Sequence, residues 1–119
     1  MTKRKHSRPA GEIVADIQDA GAAAADLVAK GKEAWDADRL LRFAGEAVIG
    51  RIAEAAGRLP KEVTDAIADV PWEDIRDIRI LVVHIYHRID YDQLWKTLED
   101  DVPFLMERVE GWRSSRAEE

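Results

Sequence analysis

Apolar residues recur at three- and four-residue spacings along most of the chain. From Gly11 to about Lys30, residues Ile13, Ile17, Ala20, Ala24, Leu27 and Val28 share one face at helical period. Gly31 follows as the expected C-terminal cap. A second helix is predicted from Glu33 to Arg58, burying Trp35, Leu41, Val48, Ile49, Ile52 and Ala56. Gly45 and Gly50 lie inside it, each costing about 1 kcal/mol relative to Ala, which close contact with a neighbouring helix would offset. Pro60 stops that helix, because proline lacks the donor and clashes with the preceding turn. Lys61 to Ala68 forms a short helix with Val63 and Ile67 turned inward, and Asp69-Val70-Pro71 separates it from the next. The last helix is expected from Asp92 to about Trp112, with Leu94, Leu98, Val102, Leu105, Met106 and Val109 facing in and Pro103 kinking or restarting it.

Between these lies Ile78 to Asp90, where composition and spacing disagree. Ile, Val and Tyr favour a strand. Yet Ile75, Ile78, Val82, Ile85 and Ile89 fall three and four residues apart, which is the stripe of an amphipathic helix. This central helix starts near Pro71, with Glu73 and Asp74 suited to its positive end. Ile80, Val83, His84 and His87 project from roughly the opposite side. A helix apolar on two faces needs cover on both, one from its own bundle and the other from a second protomer. Arg79 and Tyr86 lie on nearly one line, whereas His84 sits about 140° round from Arg79 and about 7.5 Å further along the axis. A two-fold axis would bring two Arg and two His together. The expected fold is therefore all-α, an up-and-down bundle of four main helices plus one short helix, homodimeric through the central helix.

The 119 residues accommodate one domain, expected over 11–112 between a disordered basic leader (1–10) and a polar tail (113–119). The absence of cysteine excludes disulfide and thiolate chemistry and fits a reducing compartment. No long apolar run follows the basic N-terminal stretch, so neither a signal peptide nor a membrane anchor is expected, and the protein is placed in the cytoplasm. Net charge is −6, and four of the 18 basic residues (Lys3, Arg4, Lys5 and Arg8) lie in the leader. Such a chain is no general nucleic-acid coat, and any phosphate affinity must be local. The local patch is Arg76, Arg79, His84, His87 and Arg88. Trp35, Trp72, Trp95 and Trp112 are core or interface anchors. His84, His87 and Asp90 or Tyr91 have the spacing of a partial metal site, but no second cluster completes it, so neither metal nor cofactor is expected. A histidine on an apolar helix face is ordinarily a packing residue; its sequence context decides whether it is more.

That context is Arg79, four residues, His84, one residue, Tyr86. It is preceded by Pro71-Trp72-Glu73-Asp74-Ile75 and followed by Ile89-Asp90, Leu94-Trp95 and Asp100-Asp101-Val102-Pro103-Phe104-Leu105. Upstream stands Ile52-Ala53-Glu54-Ala55-Ala56-Gly57-Arg58-Leu59-Pro60. Together these resemble the R-x4-H-x-Y signature and flanking segments of the HepT-like HEPN ribonucleases, the toxin halves of toxin–antitoxin modules, over roughly residues 12 to 110. The resemblance implies metal-independent endoribonuclease activity at a dimer interface. In it His84 takes the proton of the attacking 2′-hydroxyl and Arg79 stabilises charge on the phosphoryl oxygens. It also implies that Tyr86 binds substrate and is the residue a partner nucleotidyltransferase antitoxin modifies with AMP, and that Arg76, His87 and Arg88 support the site. Two positions depart from the family pattern: Ala53 replaces a glycine, and Ile80 replaces the small polar residue that usually follows the arginine. Ile80 separates two readings, an RNA-cleaving toxin and a non-catalytic dimeric helical adaptor for the same nucleotidyltransferase partner.

Overall fold

Asp38 is the first place where the chain departs from its simplest helical reading. The expected helix Glu33 to Arg58 is interrupted there, because Asp38 adopts extended backbone angles (φ −127°, ψ 107°) and its carboxylate accepts the Leu40 N–H at 2.9 Å. That bond caps the new helix N-terminus. Arg42 Nη1 donates to the carbonyls of Trp35 and Asp36, both at 2.8 Å, so the same break satisfies the last carbonyls of the preceding helix. Breaking the helix turns Trp35 into the core, where it is fully buried.

The computed structural model describes the backbone of residues 8–84 and 89–117, and the side chains of 8–78 and 89–116. The chain is all-α. Its helices are α1 (Ala10–Val28), α2 (Lys32–Ala37), α3 (Arg39–Gly57), α4 (Lys61–Ala66), α5 (Trp72–His84), α6 (Tyr91–Lys96) and α7 (Val102–Ala117). A π-helical turn, Thr97–Asp101, joins α6 to α7, and no strand occurs among the described residues. Of the predicted basic leader, residues 1–7 lie outside the described part; Arg8 pairs with Glu12 (3.3 Å) and Asp16 over the first turns of α1.

Helix α1 buries Ile13, Val14, Ile17, Ala20, Gly21, Ala24 and Leu27. It packs against both α3 and α7, while α5 packs on α3. Gln18 bonds Glu110 (2.7 Å), and a side chain at Gly21 would meet Met106, so α7 runs antiparallel to α1. Gly31 turns the chain after α1 with φ +93°, a conformation that L side chains rarely adopt. The inward stripes meet in one core that includes Trp35, Trp72 and Trp95, with Trp112 half-buried at its edge. Full burial is worth about 1.5–3 kcal/mol for a side chain such as Ile17 or Leu98.

The last helix begins one residue earlier than expected. Asp90 caps it by accepting from the backbone N–H groups of Asp92 and Gln93, both at 3.1 Å. The kink anticipated at Pro103 is instead the π turn just before it, and helix then continues to Ala117. Proline cannot donate to the carbonyl four residues back and its ring crowds that carbonyl; widening the turn accommodates both. Gly45 meets the expectation of close contact: a Cβ there would stand 2.6 Å from the Trp35 ring and 3.1 Å from Leu98 Cδ1. At Gly50 a Cβ would have no described residue within 4 Å.

Candidate active site

Helix α5 carries the motif. Its start is fixed by Trp72, which is buried and donates Nε1–H to the Ile67 carbonyl at 3.0 Å, while Glu73 and Asp74 occupy the first turn. Ile75 and Ile78 pack half-buried against the core, as does Ile89 beyond the helix. The stripe that argued for helix over strand is thus the inward face where it is described; the side chains of Val82 and Ile85 lie outside the described set. The helix runs unbroken to His84, so Arg79 and His84 share one backbone element, separated by about 7.5 Å of rise and about 140°. Their side chains lie outside the described ones, and Tyr86, His87 and Arg88 lie outside the described residues altogether. Arg76 is described and exposed; its Cγ and Cδ pass 3.8 Å from where a Cβ at Gly57 would stand.

An apolar groove of roughly 200 Å³ opens between α3, α5 and the π turn. Ile49, Ile52, Ile75, Ile78 and Leu105 line it, with Asp74 and Asp101 among its polar residues. Such a groove repels phosphate. Arg76, two residues after Asp74, points about 160° away from that side of α5. Arg76 is therefore separate from the groove.

Helix α3 runs antiparallel to α5, because Gly57 lies against Arg76 while Ile49 shares the groove with Ile78. Moving one turn further toward the N-terminus of α3 reaches Glu46. Here a cluster receives the chain after the motif. Tyr91 Oη donates to the Glu46 carboxylate. The Arg42 guanidinium stands 5.6 Å from the Tyr91 ring centroid, and the Tyr91 carbonyl accepts Trp35 Nε1–H at 3.2 Å. The hydrogen bond to Glu46 raises the phenol pKa of Tyr91, burial and the Glu46 charge add to it, and the charge of Arg42 opposes it. Neither Arg42 nor Glu46 figured among the residues predicted from sequence. Their i,i+4 spacing on α3 suggests only a surface ion pair. Tyr91, 45 residues after Glu46, gives them a different role.

Among the described residues no group of three or more His, Asp or Glu could hold a metal, and no helix is long and apolar enough to cross a membrane. The partial metal site considered from sequence rests on His84 and His87, beyond the described side chains.

A protein-family model described as "Ribonuclease HepT-like" matches residues 11–111. The chain is 30% identical over 73 residues to "Putative RNase MJ1380" of Methanocaldococcus jannaschii, covering 61% of this chain and 67% of that protein. It is 29% identical over 76 residues to "Probable ribonuclease HepT" of Thermococcus cleftensis, covering 64% and 69% respectively. It is also 34% identical over 58 residues to "Putative RNase TTE0752" of Caldanaerobacter subterraneus, covering 49% and 52%. No solved structure matches the chain.

Proposed function

Because the chain belongs to the HepT-like ribonuclease family, we propose that it is a metal-independent endoribonuclease, the toxin of a toxin–antitoxin pair, acting in the cytoplasm at a site shared by two copies of the chain. The family match over residues 11–111 carries this reading. The continuity of α5 supports it, because Arg79 and His84 keep a fixed spacing on one helix.

In the proposed reaction the ribose 2′-hydroxyl attacks the adjacent phosphorus and His84 takes its proton, its ordinary pKa near 6.5 suiting it to work near neutral pH. The P–O5′ bond then breaks and the leaving 5′-oxygen takes up a proton from water, giving a 2′,3′-cyclic phosphate and a 5′-hydroxyl end. Arg79 neutralises the phosphoryl oxygens as charge grows on them, which guanidinium does in a bidentate manner at any working pH. Arg76, His87 and Arg88 supply the local positive charge that an acidic chain otherwise lacks.

The homodimer rests on two features. The central helix is apolar on two sides in sequence. The N-terminal turns of α3 leave Leu40 and Phe43 exposed (67% and 53%), a surface that a second copy would cover. A nucleotidyltransferase antitoxin would silence the site by attaching AMP to Tyr86, adding bulk and negative charge two residues from His84 in the motif. Ile80, where relatives usually carry a small polar residue, favours the second reading of a dimeric adaptor that binds this partner without cleaving RNA.

Cleavage of RNA by wild type, Arg79→Ala and His84→Ala, each confirmed folded, separates the two readings when magnesium is chelated. Wild-type cleavage that survives chelation and disappears in both variants is expected. Equal inactivity of all three proteins would refute the nuclease and leave the adaptor.

A further inference from the structure

The Trp35–Arg42–Glu46–Tyr91 cluster takes no part in the chemistry above, yet it holds the chain immediately after the motif. Tyr91 is engaged through three separate groups: its hydroxyl by Glu46, its ring by Arg42 and by the edge of Trp35, and its carbonyl by Trp35 Nε1–H. The parts behind it are themselves anchored. Trp35 is fully buried against Trp95, with ring centroids 5.3 Å apart, and Arg42 is held by two carbonyls at the end of α2. Just before Tyr91, Asp90 is fixed as the N-cap of α6. The motif positions 79–88 thus lie between Ile75 and Ile78, packed in the core on one side, and Ile89 to Tyr91, held on the other.

His84 is the last described residue of α5, and Tyr91 follows it by seven positions. The placement of a catalytic base depends on how firmly the chain on either side of it is anchored, and a displacement of about 1 Å can cost roughly a hundredfold in rate. We propose that Glu46 and Tyr91 are positioning residues: their hydrogen bond, backed by Arg42 and Trp35, anchors the chain that follows the motif and so sets His84 against the scissile phosphate. The proposal rests on the ribonuclease reading for its catalytic part.

Three variants of the full chain isolate the bond. Tyr91→Phe removes the hydroxyl while keeping the ring and the carbonyl that Trp35 uses. Glu46→Ala removes the acceptor, and Glu46→Gln keeps an acceptor oxygen without the charge. Cleavage of a mixed-sequence RNA pool gives kcat and KM, and hydrogen–deuterium exchange reads the peptide spanning residues 79–91. Tyr91→Phe and Glu46→Ala are expected to lower kcat about tenfold or more with KM within about twofold, and Glu46→Gln to recover most of the loss. Exchange should quicken in the 79–91 peptide and stay unchanged in α1 and α7. Unchanged exchange at 79–91, an increase spread over the whole chain, a loss confined to KM, or a Tyr91→Phe variant as fast as wild type would each overturn the proposal. An inactive wild type would overturn the ribonuclease reading and the catalytic part of this one together, with exchange still deciding whether the bond holds the segment.

Discussion

Two identical substitutions on one helix should have opposite effects. Gly45→Ala and Gly50→Ala both fall inside α3, and each gains about 1 kcal/mol of intrinsic helix stability. At Gly50 no described residue lies within 4 Å of the added methyl, so the gain stands. At Gly45 the methyl would sit 2.6 and 2.7 Å from two Trp35 ring carbons and 3.1 Å from Leu98 Cδ1. Carbon atoms settle at about 3.5–4.0 Å, so the indole would have to retreat by roughly 1 Å. It has little room: Trp35 is fully buried, bonded through Nε1 to the Tyr91 carbonyl and packed on Trp95, and Leu98 is 1% exposed. Overpacking of this kind costs about 1–3 kcal/mol. The propensity gain is common to both variants and cancels in their difference. Gly50→Ala should therefore exceed Gly45→Ala in stability by about 1–3 kcal/mol, with Gly50→Ala above wild type. Urea denaturation followed by circular dichroism measures this, at one fixed protomer concentration so that any assembly contributes equally. Equal midpoint shifts for the two variants would refute the assigned contact between α3 and Trp35.

Asp90→Ala removes the acceptor for two backbone N–H groups at the start of α6 and should cost about 1–2 kcal/mol in the same urea assay; a loss below a few tenths would deny it a capping role. Trp35→Phe keeps an aromatic ring but leaves the Tyr91 carbonyl without its donor, and about 2 kcal/mol of destabilisation is expected, with a neutral result counting against that bond. Tyr91 should titrate above the ordinary tyrosine value of about 10, because its hydroxyl donates to Glu46 in the folded state and burial and the Glu46 charge add to that effect. The stability it contributes is then fully present below pH about 10 and is lost as pH rises through the folded-state pKa. The chain has two tyrosines, so the difference between the ultraviolet titrations of wild type and Tyr91→Phe isolates this group, and an ordinary or lowered value would contradict the hydrogen bond.

The candidate site was legible only in part. Arg79, His84 and Tyr86 announce themselves because a short motif is a local property of the sequence, and the family match over 11–111 agrees with the resemblance they carry. Glu46 and Arg42 gave no such signal, since their roles depend on a tyrosine far along the chain.

What the sequence by itself determined is the all-helical class, the inward stripes and the main breaks at Gly31, Pro60 and Pro71. The physical reason is that helical periodicity, the φ > 0 tolerance of glycine and the missing proline donor all act over a few residues. Tertiary structure decided the rest. It made Asp38 a break rather than a passing helical residue, because burying Trp35 and capping with Asp38 and Arg42 together outweigh one more turn of continuous helix. It absorbed Pro103 into a π turn and distinguished Gly45 from Gly50 by what stands opposite each. It also brought Glu46 to Tyr91. Each of these depends on which side chains of distant helices meet, and a local pattern carries no information about that meeting.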